Sequence, residues 1–126
     1  MATRTQRLPR HAMRLHLETI NDFVAPTSIS TTTPLKVFTD FELFESILPL
    51  MRNHDATNTA YLIVEWSEDG VIPAEDPDVF LVSPGKTNRP VELEVKLRYA
   101  SLSGRTEAPT FPTVSASWSL LARRKA

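Results

Sequence analysis

The stretch Val91-Glu92-Leu93-Glu94-Val95-Lys96-Leu97-Arg98-Tyr99 decides the fold class, because every odd position is apolar and every even one charged. A helix would scatter these side chains around its axis. An extended chain sends them alternately to opposite faces, one toward a core and one toward water. Val114-Ser115-Ala116-Ser117-Trp118-Ser119-Leu120 repeats the pattern with serine as the polar partner. Met13, Leu15 and Leu17, alternating with Arg14, His16 and Glu18, predict a third and weaker strand. Ala60-Tyr61-Leu62-Ile63-Val64-Glu65-Trp66 is apolar on both faces, as expected of a central strand covered on each side. Val79 to Val82 makes a short fifth.

Between these runs, Asp69-Gly70, Pro84-Gly85 and Ser103-Gly104 read as turn chemistry and use all three glycines of the chain. Ala25 to Pro34 reads as a loop or an edge strand. Val71 to Asp78, with Pro73 and Pro77, reads as an exposed acidic loop. Pro34 to Met51 supports two readings. Leu35 and Val37 suit a strand, yet Thr39-Asp40-Phe41-Glu42 resembles a capping box, with Phe41, Phe44, Ile47, Leu48 and Met51 at helical spacing behind it. This spacing predicts a strand through Val37 and Phe38 followed by a short helix that Pro49 ends or kinks. The expected fold is all-β, a single β-sandwich or jelly-roll-like domain of five or more short strands with one short helix.

Charge is the second feature that carries information. The chain holds 14 basic and 15 acidic residues in 126. The first fourteen residues carry Arg4, Arg7, Arg10 and Arg14 and no acid, and the chain ends Arg123-Arg124-Lys125-Ala126. Residues 15 to 122 therefore keep 14 − 7 = 7 bases against all 15 acids, a net of −8. The predicted organisation is a basic N-terminal arm over 1–11, a β-rich domain over 12–122 and a basic C-terminal tail over 123–126. Each part calls for a partner of opposite sign.

Composition removes several function classes. Without cysteine there are no disulfides, thiolate metal sites or cysteine nucleophiles. No run approaches the length of a membrane-spanning helix. The N-terminal segment has arginines but no apolar core before a cleavage site, unlike a secretory signal.

No motif names a reaction. Ser83-Pro84-Gly85-Lys86-Thr87 ends like a phosphate-binding loop, but Phe80 stands where the first glycine is required, so a turn is expected. His11 and His16 point to opposite faces of an extended segment and share no metal. The acids Glu65, Glu68, Asp69, Glu75, Asp76 and Asp78 lack the spacing of a calcium loop, and a solvated or partner-facing acidic surface is expected. Trp66 and Trp118 sit on apolar sides of strands and predict core positions.

Tyr99-Ala100-Ser101-Leu102, then Ala108-Pro109-Thr110-Phe111-Pro112-Thr113, then a Trp-bearing strand, resembles a stretch of the tymovirus coat proteins. Those are icosahedral jelly rolls. The resemblance covers only this short stretch, with a shorter spacing between its two halves here.

The sequence thus predicts a non-enzymatic structural or assembly protein without cofactor or metal. Its most concrete form is a small viral coat-like subunit, located in a virion or the cytoplasm, that self-associates and makes no membrane contact. Nucleic acid, RNA included, would meet Arg4, Arg7, Arg10, Arg14, Arg123, Arg124 and Lys125 through phosphate contacts. The alternatives are a nucleic-acid-binding module that forms no shell, and a β-sandwich adaptor that takes a basic partner on Glu75, Asp76 and Asp78.

Overall fold

The computed structural model describes residues 17–21, 26–74, 76–88 and 92–125. Ten strands follow in order: β1 Glu18–Asn21, β2 Thr27–Ile29, β3 Thr33–Asp40, β4 Phe44–Asn53, β5 Ala60–Ser67, β6 Asp78–Val82, β7 Thr87–Asn88, β8 Leu93–Glu94, β9 Tyr99–Thr106 and β10 Val114–Arg124. They form two antiparallel sheets. In one the order is β1-β10-β4-β7, with β2 also on β10 and β8 also on β4; the other runs β3-β9-β5-β6.

The winding is that of a jelly roll. β1 and β2 line one side of β10, and β7 and β8 line one side of β4, so each pair counts as one broken strand. Eight strands remain. The first pairs with the eighth, the second with the seventh, the third with the sixth and the fourth with the fifth. Such a chain is one long antiparallel hairpin rolled over itself, closed by the contacts β10–β4 and β9–β5.

Alternation explains the core. Even positions of β5 (Ala60, Leu62, Val64, Trp66), β9 (Ala100, Leu102) and β10 (Val114, Ala116, Trp118, Leu120, Ala122) face inward and are buried. Phe41, Ile47, Met51 and Val82 complete the cluster. Both tryptophans are core residues, as expected. Gly104 belongs to this core and not to a turn: it lies buried within β9, where an added Cβ would meet Met51 Cε at 3.1 Å and Ile29 Cδ1 at 3.2 Å. Gly70 and Gly85 do occupy turns, at φ 79° and 70°. Pro84-Gly85 closes its turn with Lys86 N donating to Ser83 O at 3.1 Å.

The short helix is replaced by strand. Phe44 N donates to Phe41 O at 2.9 Å, and Asp40 Oδ1 accepts from Glu42 N at 2.8 Å, so the presumed capping box is a tight reverse turn between β3 and β4. Beyond it, Ile47 and Met51 point inward while Leu48 and Leu50 lie half-buried on the outer face. Pro49 lies buried within β4, opposite Leu120 of β10, and does not end the element.

The cleanest alternation in the sequence yields one of the two shortest strands. Among the described residues of this stretch only Leu93 and Glu94 pair as β8, and residues 95–98 cross from one sheet to the other. Burial still alternates: Leu93, Val95 and Leu97 pack on the core, while Glu94, Lys96 and Arg98 face water. Of the strand expected over Met13 to Glu18, Leu17 and Glu18 are among the described residues, and Glu18 opens β1.

Candidate functional site

The antiparallel pairing of β1 with β10 places Glu18 opposite Ala122, so the chain enters β1 and leaves β10 at the same end of the sandwich. The β3–β4 turn, the loop 68–77 and the crossing 95–98 lie at that end too, because Asp40 pairs with Tyr99 and Tyr99 with Ser67. Arg4, Arg7, Arg10 and Arg14 lie outside the described residues but precede this point in the chain.

The C-terminal basic residues are part of the sheet. β10 runs through Arg124, so residues 123 and 124 do not form a separate tail. Arg123 is half-buried and bidentate on Glu92, with Nε 3.1 Å from Oε2 and Nη2 2.8 Å from Oε1. Ser46 Oγ donates to the same carboxylate at 2.5 Å. Arg123 and Ser46 together hold the Glu92 carboxyl below its usual range, against a smaller effect of burial. Arg124 pairs with Glu18 at 2.5 Å and lies over the Phe44 ring, 5.2 Å from its centre. Lys125 is exposed, and its backbone N donates to Leu43 O at 3.1 Å. Of the three, only Lys125 presents a charge without an acidic partner among the described residues.

Lys125 also borders an open cleft of about 420 Å³ between the β3–β4 turn and the crossing 95–98, walled by Glu42, Phe44, Glu94 and Val95. Its charges have mixed sign. Arg98, on its wall, pairs with Asp40 at 2.8 Å and Glu42 at 3.4 Å.

The expected acidic surface divides. Asp76 is exposed, and Glu75 lies outside the described residues. Asp78 is engaged within the fold: it opens β6, accepts the Trp66 indole N–H at 2.9 Å and pairs with Lys96 at 2.9 Å. Burial raises its pKa, but the bonds from Trp66 and Lys96 outweigh this and hold the carboxyl below its usual value. Asp69 shapes the loop. Its Oδ1 accepts from Val71 N at 2.8 Å and Ile72 N at 3.0 Å, so the carboxyl is held low by those amides and by the Ser67 hydroxyl. The turn so formed leaves the side chains of Val71 and Ile72 in water.

Sequence reasoning missed one polar pair. His54 Nε2 lies 2.8 Å from Ser117 Oγ, a nucleophile-and-base distance. Ser117 stands within β10, opposite Arg52 of β4. The neighbouring Asp55 accepts from Thr57 N and Asn58 N instead of orienting the imidazole. The pair fastens the loop after β4 to β10. Nothing in sequence spacing brings residues 54 and 117 together; only the β4–β10 register does. Among the described residues, no three His, Asp or Glu side chains converge as a metal site, and no helix is long and apolar enough to cross a membrane. Comparisons with protein-family models, with curated proteins and with solved structures found no match.

Proposed function

We propose that this chain is a non-enzymatic structural subunit, most concretely a small coat-like protein whose basic N-terminal segment meets nucleic acid inside a particle. The observation that carries the reading is the shared exit of both chain ends from one end of a jelly roll. Four arginines and no acid precede that exit, and Lys125 stands beside it. Arg123 and Arg124 are taken up by Glu92 and Glu18, so the nucleic-acid contact falls on Arg4, Arg7, Arg10 and Arg14 with Lys125. Jelly rolls serve capsids but also lectins and cupins, so the fold alone supports the reading only by analogy. A cationic segment with so few charges binds phosphate weakly and in a salt-dependent way, and many copies in one assembly multiply the effect.

The test is size-exclusion chromatography with light scattering, recording absorbance at 260 and 280 nm. A large species carrying nucleic acid is expected. Deletion of residues 2–10 should strip the nucleic acid while leaving the melting temperature unchanged. Unchanged nucleic-acid content in the deletion, or a small species free of nucleic acid, overturns the proposal. A small species that binds RNA in low salt and releases it in high salt supports the shell-free binding module instead.

A further inference from the structure

Among the described residues, six large apolar side chains are exposed, by between 46% and 76%: Val37, Leu43, Val71, Ile72, Val79 and Leu81. They are not scattered. Val71 and Ile72 lie in the loop before β6, and Val79 and Leu81 project outward from β6, one edge of its sheet. Val37 lies on β3, the opposite edge of the same sheet, and Leu43 in the turn that follows it. A monomer gains nothing from keeping such side chains in water at both edges, and exposed apolar patches commonly mark interaction surfaces.

Charge divides along the same line. Between Arg52 and Lys86 the sequence has no lysine or arginine. The β6 side therefore carries Glu68, Asp69 and Asp76 at the loop before the strand, against the single base Lys86 in the turn after it, none of them in an ion pair among the described residues, with Asp78 neutralised by Lys96. On the β3 side, Lys36 adjoins Val37 and Lys125 touches Leu43; neither makes an ion pair among the described residues. The acids there, Asp40 and Glu42, are held by Arg98. β7 packs against β6, so the β1 edge of the other sheet lies on the β3 side, and the arginine-bearing segment enters the fold there.

We infer that the acidic, apolar β6 edge of one copy docks on the basic, apolar β3 edge of a second copy, a head-to-tail contact between identical chains. This deepens the assembly reading above and rests on its self-association half. The occupant follows from complementarity: each edge offers apolar groups to bury, and the charges around them have opposite sign. The two edges differ, so the contact is heterologous. It leaves a free β3 edge and a free β6 edge on every dimer, and growth continues until a ring or shell closes.

Light scattering across a concentration series tests this with two variants whose changes are all exposed. One carries Val79→Ser with Leu81→Ser on the β6 edge, the other Val37→Ser with Leu43→Ser on the β3 edge. Circular dichroism should show both folded like wild type. Each alone should self-associate at least about tenfold more weakly than wild type, a loss of roughly 1.4 kcal/mol. Mixed in equal amounts, they retain one intact pair of edges and should form dimers that grow no further. Wild-type assembly in both variants, or a mixture that stays monomeric, overturns the head-to-tail contact. A monomeric wild type overturns it as well. Nucleic-acid-bearing particles that ignore both variants sink the contact and leave the coat reading standing. Variants that behave as expected in particles free of nucleic acid establish the contact and sink the nucleic-acid role.

Discussion

At the scale of single residues, the charges that looked free in the sequence prove to be the ones that tie the sandwich together. Glu92 joins Arg123 of β10 to Ser46 of β4, and the half-buried guanidinium favours its ionised form. Its folded pKa lies below the usual 4.5, so between the two values the unfolded chain binds more protons than the native one. The stability it contributes is complete above the usual value and is lost as pH falls through the folded one. Thermal unfolding should therefore change little from about pH 7 to 5 and decline below about pH 4.5. Glu92→Gln should begin less stable at neutral pH and decline less steeply in acid, with Asp78 and Asp40 supplying the slope that remains. A parallel decline in both proteins would remove Glu92 from the account. None of this was legible beforehand, because Glu92 and Arg123 are distant in sequence and meet only through the β8–β4–β10 register.

At the scale of elements, periodicity reported burial faithfully and pairing poorly. β5 and β10 follow their sequence patterns closely, since each is flanked by strands along most of its length. Residues 91–99 carry the better pattern yet leave the sheet after Glu94, because alternation requires only one face on the core and says nothing about a neighbouring strand. In β4 the inward and outward apolar groups together imitate helical spacing, which is how a strand half-buried on its outer face misleads. Gly104 was misread for a related reason. Beside serine it suggests a turn, and only the approach of Met51 and Ile29 from the other sheet explains it. The crossing 95–98 is secured where Lys96 reaches Asp78, which also accepts the Trp66 indole. Asp78→Ala should cost about 1 to 3 kcal/mol by stranding a buried indole N–H, and should alter Trp66 fluorescence. Lys96→Ala removes only a partly exposed pair and should cost less than about 1 kcal/mol. Equal losses in the two variants would mean that the ion pair, not the indole bond, secures the crossing.

At the scale of the whole molecule, the jelly-roll winding makes the last strand the centre of its sheet. β10 pairs with β1 and β2 on one side and with β4 on the other, so the first and last strands depend on each other. Removing Leu120 to Ala126 deletes every rung between β1 and β10 and about half of the β10–β4 ladder. It also uncovers the Leu120 and Ala122 sites in the core and frees Glu92 of its cation. Burial of a leucine alone is worth about 1.5 to 3 kcal/mol, against a total stability of about 5 to 15 kcal/mol for a domain. The truncated chain should therefore lose its cooperative thermal transition, whereas deletion of residues 2–10 should keep it, since the described sheets begin at β1. A cooperative transition in the C-terminal truncation would show that β2, β4 and the second sheet hold the fold without the first-to-last pairing. The same dependence bears on assembly. Because Glu18 enters β1 opposite Ala122, the proposed nucleic-acid contact would fall on a segment leading directly into a strand paired with β10. Nucleic acid bound there should raise the melting temperature of the wild type, and the increase should vanish in high salt or on deletion of residues 2–10.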